Sequence, residues 1–378
     1  MQSAEKSLFT AIGAISGTSM DAIDVALVET DGAHHVRPLG GGAYPYPEAL
    51  RESLRSVIAD AARAERDSLE DLETEVTRAF ADAIRLCLAD MGVDPAGIDL
   101  VGFHGQTVFH RPERRVTRQL GDGPALARAL GMPVVYRFRH ADVAAGGQGA
   151  PLVPLYHAAL AASLPRPLVV LNLGGVANVT YLDGETILAF DTGPASALID
   201  DAMQRHFGLD YDADGQIATR GRVSAGLLAT LIDNPFFAAK PPKSLDRNDF
   251  HRRSRIVESL SAEDQIATLT AFTVAATARA LTHFPERPSR WLVTGGGRHN
   301  RAMMRGFADA LEVPVEPVET VGWNGDLLEA ECFAYLAARS RRGLPLSLPT
   351  TTGVPAPMPG GEFCPPQAFR RGPISSRR

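Results

Sequence analysis

Apolar residues along this chain fall into two kinds of run. Short runs broken by small polar turns predict strands: Phe9–Ile15, a Ser16-Gly17-Thr18-Ser19 turn, then Ile23–Val28, with Asp31-Gly32 as a hairpin turn. The same grammar returns in Leu168–Leu173, apolar but for Asn172, followed by the glycine-rich Gly174-Gly175-Val176-Ala177-Asn178. Val179–Leu182, an Asp183-Gly184 turn and Thr186–Phe190 complete the second copy. A strand–loop–strand–hairpin unit repeated at roughly 155 residues predicts an internal duplication, far longer than a solenoid period.

Longer runs carry helical spacing. Leu69, Leu72, Val76, Phe80, Ile84 and Leu88 recur every three or four residues and predict a helix over 68–91. Gln265–Phe284 and Asp326–Arg339 are two more, and short β signals lie at Leu100–Phe103, Pro133–Tyr136 and Trp291–Thr294. Strands alternating with helices predict α/β layers. The Pro- and Gly-rich tail from Gly343 reads as irregular and non-helical.

Composition narrows the class. The 378 residues suit two or three compact units. A net charge of −6 lacks the basic excess of a nucleic-acid binder. Cys87, Cys332 and Cys364 are too scattered for a disulfide framework or a zinc site. No apolar run reaches membrane length, and Leu8–Ile15 lacks the flanks of a signal peptide, so a soluble cytoplasmic protein is expected.

Candidate chemistry sits in small polar turns at strand ends, since the sequence has no P-loop, G-x-G-x-x-G, H-E-x-x-H or G-x-S-x-G motif. The densest is Ser16–Asp24, whose small residues let backbone N–H groups approach a phosphate and whose aspartates suit Mg²⁺; it reads equally as a tight hairpin. Asp191, before Thr192-Gly193-Pro194, is either a strand-end general base or an Asx-turn starter. Gly295-Gly296-Gly297 either lets a flat group such as adenine lie on backbone or is a flexible connection. His104-Gly105-Gln106-Thr107, closing the strand Leu100–Phe103, suits sugar hydroxyls, or else holds a half-buried histidine with a backbone partner. Glu329 is a cleft carboxylate or a solvated surface charge. The segment Ala144–Pro154, preceded by Arg139 and Asp142, is too small and glycine-rich for a core element and reads as a hinge between the two copies.

Together these stretches resemble the anhydro-N-acetylmuramic acid kinases of the sugar kinase/Hsp70/actin superfamily. The matching segments are Ser16–Asp21, His104–Thr107, Asp142–Pro154, Asn172–Asn178, Phe190–Pro194, Pro242-Lys243-Ser244, Gly295–Gly297 and Leu328-Glu329-Ala330, in the family's order. The resemblance implies an α/β, two-lobed actin-like ATPase fold with duplicated five-stranded mixed sheets flanked by helices. The first lobe is expected to hold 1–141 and about 343–378, the second 142–342, with ATP and sugar in the cleft and hinges near Gly146–Gly149 and Gly343.

The resemblance further implies an ATP- and Mg²⁺-dependent kinase. It opens the anhydro ring by hydrolysis and phosphorylates O6, giving N-acetylmuramate 6-phosphate in cell-wall recycling. Asp191 matches the base. Gly17, Thr18, Ser19, Met20, Asp21, Ala22, Ile23 and Asp24 match the phosphate loop, with Asp21 and Asp24 toward Mg²⁺ directly or through water. Gly174, Gly175, Asn178, Gly295, Gly296 and Gly297 serve the nucleotide; His104, Gln106, Arg139, Asp142 and Glu329 serve the sugar. Small molecules are the implied partners, with no nucleic acid or membrane, and a homodimer stays open. Three departures stand out. Ala22 replaces a usual glycine, Ala195-Ser196 replaces Gly-Asn, and Arg139-His140-Ala141-Asp142 replaces a run of arginines.

Overall fold

The computed structural model describes residues 7–17, 20–245 and 249–366. They form two compact units. One holds the chain up to Gly149 with Glu329–Ser347 and the residues from Pro355; the other holds Ala150–Leu328 with Leu348–Val354.

The first unit is built on β1 (Phe9–Ser16), β2 (Ala22–Thr30), β3 (Val36–Pro45), β4 (Leu100–Arg111), β5 (Val116–Leu120) and β6 (Val134–Tyr136). Five of these run in the order β6-β4-β1-β2-β3, the first three parallel and the last pairs antiparallel. The second unit repeats that plan with β7 (Leu168–Leu173), β8 (Val176–Asp183), β9 (Thr186–Pro194), β10 (Arg290–Thr294) and β11 (Val315–Pro317), ordered β11-β10-β7-β8-β9 with the same directions. The duplicated five-strand mixed sheet is therefore present, flanked by helices. The first copy is larger than expected: β5 pairs the outer part of β4, and the strand Glu362–Cys364 adds antiparallel to β6, giving seven strands. That last strand is the one ordered element in a tail otherwise free of helix among the described residues.

Strand alternation divides the first sheet into two faces. Ile12, Ala14, Val25 and Phe103 pack on Val76, Phe80 and Ile84 of the helix Glu70–Asp90, with the Phe80 and Phe103 rings edge to face at 5.0 Å. The opposite face is cleared by glycine. A Cβ on Gly13 would lie 1.8 Å from the Ala330 carbonyl oxygen, and one on Gly102 would lie 2.0 Å from that of Phe333. Gly13 and Gly102 are register partners, so the helix Leu328–Arg341, rich in fully buried alanine, lies against bare backbone.

This contact corrects the expected boundary. Glu329–Arg342 and Asp142–Gly149 belong to the first unit rather than the second, Leu348–Val354 belongs to the second rather than the first, and Gly343 lies inside the first. The Asp142 carboxylate accepts from Gly149 N at 2.6 Å and from the Ser347 hydroxyl, which ties that segment down. In the second unit the expected helix Gln265–Phe284 is an α-helix over Ala262–Ala278 continued by a 3₁₀ turn, Arg279–His283. Ser261 caps its start, accepting from Asp264 N at 3.2 Å.

Candidate active site

The first polar turn joins β1 to β2. Thr18 and Ser19 lie outside the described residues. On either side, Met20 N donates to Gly17 O at 3.2 Å, and Met20 takes the left-handed φ of 57° with its side chain buried. Ala22 is already in the ladder, opposite Pro45, so the residue replacing glycine is spared the strained conformation. Ile23 is buried in the core and offers only its backbone. Gln106 is fully buried; its Nε2 donates to Gly17 O at 3.3 Å and its Oε1 accepts from Tyr46 Oη at 3.3 Å. It fastens the turn from β4 and presents no surface to a sugar.

Asp21 is exposed and paired with Arg51. Asp24 is half-buried on β2, opposite Ile15. Among the described residues no group of three or more His, Cys, Asp and Glu could hold a metal alone. One or two carboxylates beside such a turn would fit Mg²⁺, which keeps several waters and borrows ligands from phosphates.

The tetrad His104–Thr107 lies within β4 rather than at its end. β4 carries on to Arg111 through a bulge at His104, where Ala14 pairs with Phe103 and Ile15 with Gly105. Gly105 takes φ +73°, which the bulge requires. His104 Nδ1 donates to Gly105 O at 2.9 Å, and its Nε2 accepts from Arg139 Nε at 2.9 Å. Burial, and then the charge of Arg139, hold the ring well below its usual pKa, so it is neutral and fully engaged inside the protein. Arg139 Nη1 donates to Gly149 O at 2.7 Å. Glu329, in the first turn of Leu328–Arg341, is exposed; the surrounding protein raises its carboxyl while Arg139 opposes the rise. His104, Arg139 and Glu329 thus form one set, with Asp142 bracing its loop.

Asp191 stands on β9 across the ladder from Asn178, beside a register shift. Its backbone N–H donates to Lys243 O at 3.0 Å, and Leu245 N donates to its Oδ2 at 2.7 Å. Burial pushes the carboxyl up to about 7, against the opposing pull of the Leu245 N–H and the Lys243 charge. A carboxylate poised there can take a proton near neutral pH.

Around it the glycine turns are pinned. Gly174 O accepts from Ser196 N at 3.0 Å and Ser196 Oγ at 2.8 Å, and Gly175 O accepts from Ala195 N at 3.0 Å. The Ala195-Ser196 departure therefore supplies a hydroxyl clasp to this turn. Gly295 adopts φ +78° with Asn172 Oδ1 2.5 Å and Leu173 O 2.7 Å from where a Cβ would stand. Gly297 sits against Leu173, whereas Gly296 faces open space. Arg298, buried and paired with Glu319 and Asp326 at 2.9 Å, donates to Gly295 O at 3.1 Å.

Ser196, Lys243 and Arg298 were not legible as site residues. Ser196 and Arg298 act on turns through carbonyls, which leaves no motif. Lys243 did carry a signal, since Pro242-Lys243-Ser244 is one of the stretches that resemble the family.

A family described as anhydro-N-acetylmuramic acid kinase matches residues 9–365. The anhydro-N-acetylmuramic acid kinase of Rhizorhabdus wittichii is 51% identical over 359 residues, covering 93% of this chain and 97% of that one. Its counterpart in Paramagnetospirillum magneticum is 50% identical over 353 residues, 93% and 98% of the two chains. Among solved structures, component A of (R)-2-hydroxyglutaryl-CoA dehydratase from Acidaminococcus fermentans aligns with TM-score 0.47 at 12% identity, over 87% of this chain and 99% of that one.

Proposed function

The chain belongs to the anhydro-N-acetylmuramic acid kinase family, and from that premise we propose that it couples hydrolysis of the 1,6-anhydro ring to phosphorylation of O6. The coarser activity, an ATP-using kinase with an alcohol acceptor, follows from the family itself. In the finer reaction water attacks C1 and its proton passes to Asp191. The C1–O6 bond breaks, and O6 takes the γ-phosphoryl group, leaving N-acetylmuramic acid 6-phosphate and ADP.

The observation that carries this reading is Asp191. Its carboxyl is raised to about 7, oriented by one backbone N–H, and makes no salt bridge among the described residues. A carboxylate locked to a cation would be too weak a base for water; this one keeps its basicity.

The Gly17–Asp24 turn, including Thr18 and Ser19, takes the phosphates in this reading, and Gly174, Gly175, Asn178 and Gly295–Gly297 take the rest of the nucleotide. Asp24, with Asp21 as a second carboxylate, would hold Mg²⁺ directly or through water; the ion would neutralise charge on the phosphoryl oxygens. The sugar falls to Arg139, whose Nη2 makes no hydrogen bond among the described residues, and to Glu329; Arg139 is oriented by His104 and by the Gly149 loop that Asp142 braces. Gln106 acts through the turn it holds.

No described helix is long and apolar enough to cross a membrane. Dependence on ATP puts the work in the cytoplasm, within recycling of cell-wall amino sugars, and a homodimer is the assembly to be checked by sedimentation. The test is a coupled assay of ADP release with anhydro-N-acetylmuramic acid against open-ring N-acetylmuramic acid. Strong preference for the anhydro sugar is expected; equal turnover of both would remove ring opening from the reaction.

A further inference from the structure

Lys243 is absorbed by none of the roles above, yet it touches the base from two directions. Its own carbonyl accepts from Asp191 N at 3.0 Å, and two residues on, Leu245 N holds Asp191 Oδ2 at 2.7 Å. The side chain is bonded elsewhere. Nζ donates to Phe236 O at 2.8 Å and Phe237 O at 3.3 Å, in the short helix Pro235–Ala238, and lies 3.5 Å from His283 Nε2. It also sits over the Phe236 ring at 4.6 Å and the Phe190 ring at 5.6 Å, and Phe190 is the neighbour of Asp191 on β9. An ammonium satisfied by two carbonyls and two ring faces needs no carboxylate partner.

We infer that Lys243 is a positioning residue for Asp191: its anchored ammonium fixes the segment that aims the carboxylate, and its charge sets the strength of the base without pairing to it. The inference rests on the reading of Asp191 as the general base. The groups that matter electrostatically are few. Lys243 acts on Asp191 through space. His283, from the turn Arg279–His283, faces Lys243 and Phe237 O and is held below its usual pKa by burial and by the Lys243 charge. The direction follows: removing a positive neighbour makes a carboxyl easier to protonate.

The experiment compares Lys243→Met, which keeps the length of the stem, with Lys243→Arg, which keeps a charge, by two readouts. One is the pH dependence of kcat/KM. The other is the ¹³C carboxyl titration of Asp191 in protein without substrate, its signal identified by its loss in Asp191→Asn. Lys243→Met should move both midpoints upward by about half a pH unit or more, with Lys243→Arg staying near the parent value. A purely structural lysine would lower kcat in both variants and move neither midpoint, and that result overturns the inference. If the carbon titration moves while the kinetic midpoint does not, Lys243 still governs Asp191 but Asp191 is not the base. Should Lys243→Met fail to fold, unchanged midpoints in a folded Lys243→Gln would refute the proposal equally.

Discussion

Asp191→Asn should make the second unit more stable while removing its chemistry, and the gain should depend on pH. Burial raises the Asp191 carboxyl from the ordinary 3.8 to about 7. As pH climbs from about 4 the unfolded chain releases this proton, while the folded protein retains it until pH nears 7. The unfolded state is therefore favoured progressively across that window, and the loss levels off above it. At about 1.36 kcal/mol per pH unit the full separation is worth roughly 4 kcal/mol. Solvent at the half-buried carboxyl screens part of it, leaving about 2 to 3 kcal/mol to be measured. Asparagine fills the same space, can still accept from Leu245 N, and has no proton to lose. Its advantage should thus be near zero at pH 4 and greatest at pH 8. Both tryptophans, Trp291 and Trp323, lie in the second unit, so intrinsic fluorescence in urea follows the relevant transition. At pH 8 the same variant should show kcat reduced at least about 10²-fold with ATP affinity little changed. A stability difference that is flat between pH 4 and pH 8 would refute the desolvation argument, and near-parental turnover would remove Asp191 from the chemistry.

Three further outcomes follow from contacts already described. Ser196→Ala removes the clasp on Gly174 O and should raise KM for ATP about three- to tenfold with kcat less affected, the worth of about one hydrogen bond; an unchanged KM would detach this turn from the nucleotide. Gln106→Leu leaves Gly17 O and the Tyr46 hydroxyl without their partner, and calorimetry should show nucleotide binding weakened about tenfold with sugar binding spared. Gly13→Ala forces a methyl onto the Ala330 carbonyl and should destabilise the first unit by at least about 1 to 3 kcal/mol, read as faster hydrogen exchange over Leu328–Arg341; unchanged protection there would mean the helix can move aside freely.

Both strand–turn–strand copies were legible because each alternates apolar runs with turn residues, and local chemistry decides such hairpins. The tetrad at His104 misled because a polar run looks like the end of a strand. Here the strand continues, since Gly105 absorbs the bulge and Gln106 finds its partners far away at Gly17 and Tyr46. The boundary at 142 was misplaced for a related reason: the glycine-rich segment advertises a crossing, but the bonds of Asp142 to Gly149 and Ser347 keep it in the first unit. Asp191 became a candidate base through the family resemblance, since its Thr-Gly-Pro context suits an Asx turn as well, whereas its environment came from Lys243 and Leu245, more than fifty residues on. Side chains that act through backbone carbonyls, as Ser196 and Arg298 do, leave little trace in one sequence.

The bare faces of Gly13 and Gly102 also carry a consequence for how the protein is made. The helix that covers them begins at Leu328, after nearly the whole second unit has been synthesised. A ribosome releasing this chain therefore delivers the first sheet with one side uncovered, and the first unit must wait for the last helix to close it. Most of the second unit, Ala150–Leu328, emerges as one uninterrupted stretch and can fold before its predecessor is complete. The usual order, in which the N-terminal domain folds first, is thereby inverted. A nascent chain stalled near residue 328 should expose a glycine-lined, aggregation-prone face that one stalled beyond the ribosomal exit of residue 341 would already have covered.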